Sequence, residues 1–270
     1  MLSRLIPGRA ESIPAVGFGT WQTFSSATPD KTAALIRRFH ELGGKLVDTS
    51  PMYGEAEAEL GRATQKLGLT QDLFLASKVW TTGRASGEAQ FTRSQQLLGK
   101  QPLDLEQVHN LSDWRTQLAM LRVRREVGAV RYIGITHYLA SAHADLEQVL
   151  RREQMDFVQM NYNIAERAAE QHLLPAAADL GVAVIVNRPF GEGALFRRVK
   201  GVALPEFAIQ FGCRSWGQYF LKFILSHPAV TCVIPATGDP THLEDNMAAG
   251  AGALPDPAMR ERMARHFLTL

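Results

Sequence analysis

Cysteine is nearly absent from this sequence. Cys213 and Cys232 are the only two in 270 residues, too few for a disulfide framework and without the paired spacing of a zinc site. A reducing compartment suits such a chain, and no metal centre is expected. Long apolar runs are missing as well: no stretch approaches the roughly eighteen apolar residues of a membrane span, and "MLSRLIPGRAESIP" has no apolar core of signal-peptide length. The expectation is a cytoplasmic protein off the membrane, with an exported form left open because a removed leader leaves no trace. An excess of one charge is also lacking. The net charge is +2 with acids and bases interspersed, which offers no face for nucleic acid. The last absence is a dinucleotide fingerprint. "GFGTW" at Gly17 to Trp21 is the nearest approach to G-x-G-x-x-G, but it lacks the third glycine and runs into polar residues instead of a helix.

What the sequence does contain is a rhythm. Short β-branched or apolar runs recur as "IPAVGFGTW", "KLVDTS", "LFLASKVW", "DLEQVHN", "VRYIGITHY", "DFVQMNYN", "VAVIVNRPF" and "VTCVIPAT", eight candidate strands in all. Between them apolar residues fall three and four apart, as in Ile36, Phe39 and Leu42 or Leu60, Ala63 and Leu67, the spacing of helices that cover a sheet. Strand and helix alternating eight times predict parallel strands joined by crossovers and closed into a (β/α)8 TIM barrel. An open doubly wound sheet is the alternative. No linker or composition shift divides residues 1–270, so a single domain is expected. The long interval from Phe190 to Val230 contains "PEFAIQFG" and "SWGQYFLKFILSHP" and predicts an extra helix before the last strand.

In such a barrel the chemistry gathers at the C-terminal strand ends. Asp48 ends the second run, Lys78 the third and His109 the fourth, and Tyr53 follows in the loop after the second. Singly, each has an ordinary explanation: a turn-forming Asp, a snorkelling Lys, a core His, a packing Tyr. Jointly they make a site. A Lys ammonium beside a phenol favours the phenolate and lowers the phenol pKa, a carboxylate keeps that Lys charged, and a neutral His can orient a carbonyl oxygen.

These motifs, together with "DTSPMYG", "SKVW", "VHN", "GITHY", "VQMNYN" and "IPATGDPTHLEDN" in order, resemble the aldo-keto reductase family over nearly the full chain. The resemblance implies reduction of aldehydes or ketones with NADPH, NADH being possible, by a tetrad of Asp48, Tyr53, Lys78 and His109 in which Tyr53 is the general acid. It further implies a nicotinamide cofactor contacted by Gly19, Thr20 and Trp21 after the first strand, beside Asp48. Thr136, His137 and Gln159 would face its carboxamide. Asn187, Arg188, Pro189, Phe190 and Gly191 would follow the seventh strand, with Arg188 reaching the pyrophosphate. Ala236, Thr237, His242, Asp245 and Asn246 would surround its adenosine end.

The sequence departs from the family pattern in places. Thr136-His137 replaces Ser-Asn, and Asn187 stands where a stacking Tyr is common. Ala236 and His242 replace a Lys and an Arg that would bind a 2′-phosphate, with Thr237, His242, Arg197 and Arg198 as compensating candidates. Asp245 replaces a Glu, while Asn246 is kept. Trp21, Trp80 and Trp114 fall just past strands and predict an aromatic wall for a small-molecule carbonyl substrate. Short loops, such as "NLSDWRTQLAM" passing straight into a helix, predict a shallow, open site and a broad substrate range. Two other functions fit parts of the pattern: a Schiff-base lyase built on Lys78, and a nucleotide-binding scaffold without turnover. No feature of the sequence sets an oligomeric state.

Overall fold

The computed structural model describes residues 1–24 and 28–270. It opens with an antiparallel hairpin of β1 (Ser3–Leu5) and β2 (Ser12–Pro14). Then follow β3 (Phe18–Gly19), α1 (Pro29–Glu41), β4 (Leu46–Asp48), α2 (Ala56–Leu67), β5 (Phe74–Val79), α3 (Arg84–Leu98), β6 (Leu103–His109) and α4 (Trp114–Glu126). The second half holds β7 (Val130–Thr136), α5 (His143–Arg152), β8 (Phe157–Asn161), α6 (Leu173–Asp179), β9 (Ala183–Asn187), α7 (Ala194–Arg198), α8 (Glu206–Ile209), α9 (Trp216–Leu225), β10 (Val230–Val233), α10 (Pro240–Ala248) and α11 (Pro257–Leu268).

Strands β3 to β10 pair in parallel in sequence order. Parallel bridges Val16 to Val233 and Gly19 to Ala236 bring the two edges together, so the sheet closes as the expected (β/α)8 barrel.

The first predicted strand is in fact two elements. "IPAVGFGTW" divides into β2, which belongs to the hairpin, and the two residues of β3 in the barrel. Gly17 marks the pinch between them: a Cβ there would stand 2.9 Å from the Leu46 carbonyl, so the chain can press against β4 only without a side chain. The interval before β10 carries three helices where one extra was expected. α7 and α8 are short, and α9 is apolar nearly all round because it lies under α11, with Phe220 edge-on to Phe267 at 5.7 Å.

Side chains alternate along each strand, and this period of two creates two cores. Outward residues such as Val47, Leu75, Val108, Ile135, Val158 and Val184 meet the helices. Inward residues Leu46, Phe74, Leu105, Tyr132, Phe157, Ala183 and Ile185 fill the barrel, and Ile6 and Ile13 of the hairpin join them from below. The hairpin therefore plugs the N-terminal end. An ion pair sits at this base: Lys100 Nζ lies 2.6 Å from Asp104 Oδ2, which also accepts the Leu75 N–H at 2.7 Å, while Asp104 Oδ1 accepts from Arg131 at 2.7 Å. Lys100 donates in addition to the Leu73 carbonyl. No helix among the described residues is long and apolar enough to cross a membrane.

Candidate active site

Following the inward rows upward, the apolar layers give way to polar ones at the C-terminal strand ends. Leu46 is followed inward by Asp48, Ala76 by Lys78, Leu105 by Gln107 and His109, Phe157 by Gln159, and Ile185 by Asn187. Register alone thus delivers the expected residues to one mouth.

Lys78, fully buried, donates to Asp48 Oδ2 and to the Thr49 carbonyl, each at 2.6 Å. Burial works against its ammonium, but Asp48, Tyr53 and Glu106 outweigh that cost and raise its pKa. Its nitrogen also lies 5.2 Å from the centre of the Tyr53 ring. The other Asp48 oxygen accepts from Gln159 at 2.8 Å and, more loosely, from Gln107 at 3.4 Å. Gln159 Oε1 in turn accepts from Thr136 Oγ1 at 3.1 Å and from Asn187 at 3.2 Å. Asp48, Lys78, Thr136, Gln159 and Asn187 therefore form one hydrogen-bonded chain across the mouth.

Tyr53 and His109 stand beside that chain, their rings edge to face with centroids 6.0 Å apart. The expected lowering of the phenol pKa is not what this geometry produces. Burial pushes the Tyr53 phenol above its ordinary value, and the pull of Lys78 in the other direction is partly undone by Asp48. The ammonium that pulls the other way is itself bonded to Asp48 and Thr49. Tyr53 accordingly keeps its proton through the neutral range. His109 is pushed down to about 2 by burial first, then by Lys78 and His137, and so is a neutral imidazole.

The loop residues after β7 and β9 are engaged within the protein. His137 Nδ1 accepts from the Leu139 N–H at 3.2 Å, and its ring stacks on Tyr138 at 5.5 Å. Arg188, in a left-handed turn at φ 50, pairs with Glu192 at 3.2 Å and donates to the Tyr138 carbonyl at 3.2 Å; in this arrangement it is occupied within the protein. Pro189 follows in the same turn, which closes through Gly191 N–H to the Arg188 carbonyl at 3.0 Å. Arg198 is turned to α11, over the Phe267 ring at 4.4 Å, and Arg197 reaches the Glu192 carbonyl.

At the far side of the mouth a cavity of about 580 Å³ is lined by Phe190, Phe196, Trp216, Ala236, Thr237, His242, Asp245 and Asn246 among others. Asp245 is held by Ser215 Oγ at 2.5 Å and Gln218 Nε2 at 2.7 Å, at the start of α9. Gly19 and Thr20 border β4 and the last strand through the Pro235 and Asp48 carbonyls. Asn187 Oδ1 and Thr20 Oγ1 are buried without a partner among the described residues, leaving acceptor and hydroxyl groups for a polar ligand. Aromatic faces with polar groups between them, at this volume, fit a nucleotide.

Trp21 and Trp80 are exposed at the rim, while Trp114 opens α4 half-buried against the outer core, so two of the three expected rings are free to meet a substrate. Not anticipated from the sequence are Met52 and Tyr138, exposed on the same rim, and Ser50 and Gln107, buried beside the site. Gln107 was within reach: it lies two residues before His109 on one strand and must share its face. Ser50 gave no such signal, because only the loop's path brings it to His109.

Comparison with known proteins agrees with this geometry. Residues 15–262 match the model of the Aldo/keto reductase family. Methylglyoxal reductase YeaE of Escherichia coli is 28% identical over 88% of this chain and 85% of its own length. An aldo-keto reductase from Klebsiella pneumoniae solved with NADPH superposes with a TM-score of 0.84 at 23% identity, covering 99% of this chain and 96% of that one. The holo form of the aldo-keto reductase AKR11C1 from Bacillus halodurans gives a TM-score of 0.82 at 21% identity, covering 99% and 96%. A match that spans nearly the whole chain and all eight strands leaves one assignment: this protein is an oxidoreductase of the aldo-keto reductase family.

Proposed function

We propose that the protein reduces aldehydes or ketones to alcohols with NADPH, and less well with NADH, using Tyr53 as general acid. The observation that carries this reading is the grouping of a protonated phenol, a charged Lys78 and a neutral His109 at one mouth. A bound reduced nicotinamide supplies hydride to the carbonyl carbon. The protein supplies the rest. His109 holds the carbonyl oxygen by an N–H donor, Tyr53 passes its proton to that oxygen, and the Lys78 ammonium stabilises the phenolate left behind while Asp48 keeps Lys78 charged. Gln159 and Gln107 fix Asp48 in turn. A lysine held charged is a poor Schiff-base nucleophile, which weighs against a lyase.

The cavity between α9 and α10 would take the adenosine end, and Asn187 and Gln159 would meet the carboxamide. Two cations usual there are absent at Ala236 and His242. Lys31 offers a replacement from α1, its nitrogen 3.7 Å from where a Cβ of Gly238 would stand. Asp239 acts the other way, since its carboxylate already accepts the N–H groups of Thr241 and His242 at the start of α10. The balance gives a modest NADPH preference, less than about tenfold. An open mouth rimmed by Trp21, Met52, Trp80 and Tyr138 suits varied carbonyl compounds, and methylglyoxal, named for the Escherichia coli relative, belongs on the panel.

The test follows nicotinamide oxidation by absorbance with NADPH or NADH and 4-nitrobenzaldehyde, beside Tyr53→Phe. Turnover that the variant abolishes supports the reductase. Tight NADPH binding with no turnover across the panel would instead favour a nucleotide-binding scaffold.

A further inference from the structure

Ser50 lies in the loop between β4 and α2, fully buried, and bonds in three directions. Its carbonyl accepts the Tyr53 N–H at 3.0 Å. Its Oγ accepts the Met52 N–H at 3.3 Å and stands 3.0 Å from His109 Nδ1. These contacts favour one place for the hydroxyl proton. Oγ already receives one proton from Met52, and the neighbour without a fixed proton is the ring nitrogen. A neutral imidazole has one N–H and one acceptor nitrogen, and a donor placed on Nδ1 leaves the N–H on Nε2. Among the described residues Nε2 makes no hydrogen bond.

We infer that Ser50 is a positioning residue which, by donating to His109 Nδ1, holds the imidazole in the Nε2–H tautomer so that its donor faces the mouth. The same residue anchors the backbone of Tyr53, so one side chain and its own carbonyl set the spacing of both groups that would meet a carbonyl oxygen. With Ser50 replaced by alanine, Nδ1 loses its donor and the Nδ1–H form becomes competitive. A molecule in that form presents a lone pair to the substrate oxygen and repels it. The role in turnover rests on the reductase reading above; the tautomer does not.

The experiment therefore reads both. Long-range ¹H–¹⁵N correlation spectra of uniformly ¹⁵N-labelled wild type, Ser50→Ala and Ser50→Thr report the protonated ring nitrogen, with His109→Asn identifying the signals. Turnover of 4-nitrobenzaldehyde is measured on the same preparations. Wild type should show the Nε2–H pattern. Ser50→Ala should shift His109 towards Nδ1–H and lower kcat by about tenfold, the weight of one net hydrogen bond, while circular dichroism stays unchanged. Ser50→Thr, which keeps the hydroxyl, should restore both; if it does not fold, wild type and Ser50→Ala decide alone. An Nδ1–H pattern in wild type, or an Nε2–H pattern unchanged in Ser50→Ala, would overturn the inference. Should wild type show no turnover at all, the reductase reading fails, and the spectra still judge Ser50.

Discussion

Two buried lysine–aspartate pairs sit at opposite ends of this barrel, Lys78 with Asp48 at the mouth and Lys100 with Asp104 at the base. Both close to 2.6 Å, and both are almost wholly removed from water. The base pair is saturated: Asp104 also binds Arg131 and the Leu75 N–H, and Lys100 also binds the Leu73 carbonyl. At the mouth Asp48 is braced by neutral amides, and Lys78 faces the ring of a phenol that still holds its proton. Burial and ion pairing are therefore common to both. What separates them is an adjacent group with a transferable proton next to an open cleft.

The contrast is broken or sharpened by substitution. Tyr53→Phe removes the transferable proton and nothing else; kcat/KM should fall by about a thousandfold or more with the melting temperature nearly unchanged. Lys78→Met and Lys100→Met form the decisive pair. Lys78→Met leaves the Asp48 carboxylate with no cation and should cost roughly 3–5 kcal/mol of stability in denaturant titration, while Lys100→Met should cost less, because Asp104 keeps Arg131. Only Lys78→Met should also lose about a hundredfold or more in kcat, whereas Lys100→Met should keep turnover per folded molecule within about twofold. Equal loss of turnover in both would erase the distinction drawn here.

A pH titration of stability is the next smaller effect. The pKa of His109 is depressed in the folded state, so below the ordinary value of 6.5 the unfolded chain binds the extra proton. The contribution of His109 is whole above that value and declines as pH falls towards about 2, by up to about 1.4 kcal/mol per pH unit. His109→Asn should flatten this slope, which chemical denaturation at successive pH values would show. The smallest effect belongs to Gln107→Leu. Its amide reaches Asp48 at only 3.4 Å and its Oε1 is buried without a partner among the described residues, so kcat should drop less than about tenfold while stability holds or rises.

Much of this was legible in the sequence because parallel strands in a barrel are marked by β-branched runs, and because Asp48, Lys78 and His109 each end such a run. The hairpin was not. "SRL" and "SIP" are too short to signal a strand, and β2 was absorbed into the run that feeds β3. Distances across the mouth were equally hidden. The sequence suggested that Lys78 lowers the Tyr53 pKa, but how far Asp48 offsets the ammonium, and how deeply the phenol is buried, depend on how β4, β5 and the loop after β4 pack together. Arg188 illustrates the same limit: its charge was evident, while its engagement by Glu192 and Tyr138 required the turn at φ 50.

The hairpin under the barrel has a bearing on timing. With Ile6 and Ile13 stoppering the lower opening and the buried apolar layers of Phe74, Leu105 and Phe157 above them, the open end of the barrel is its neck at the C-terminal strand ends. On the proposed chemistry, the proton that Tyr53 surrenders must be replenished through that same neck, past whatever occupies it. Recharging then waits for the alcohol to depart, and a slow-leaving product would hold the enzyme discharged as well as blocked.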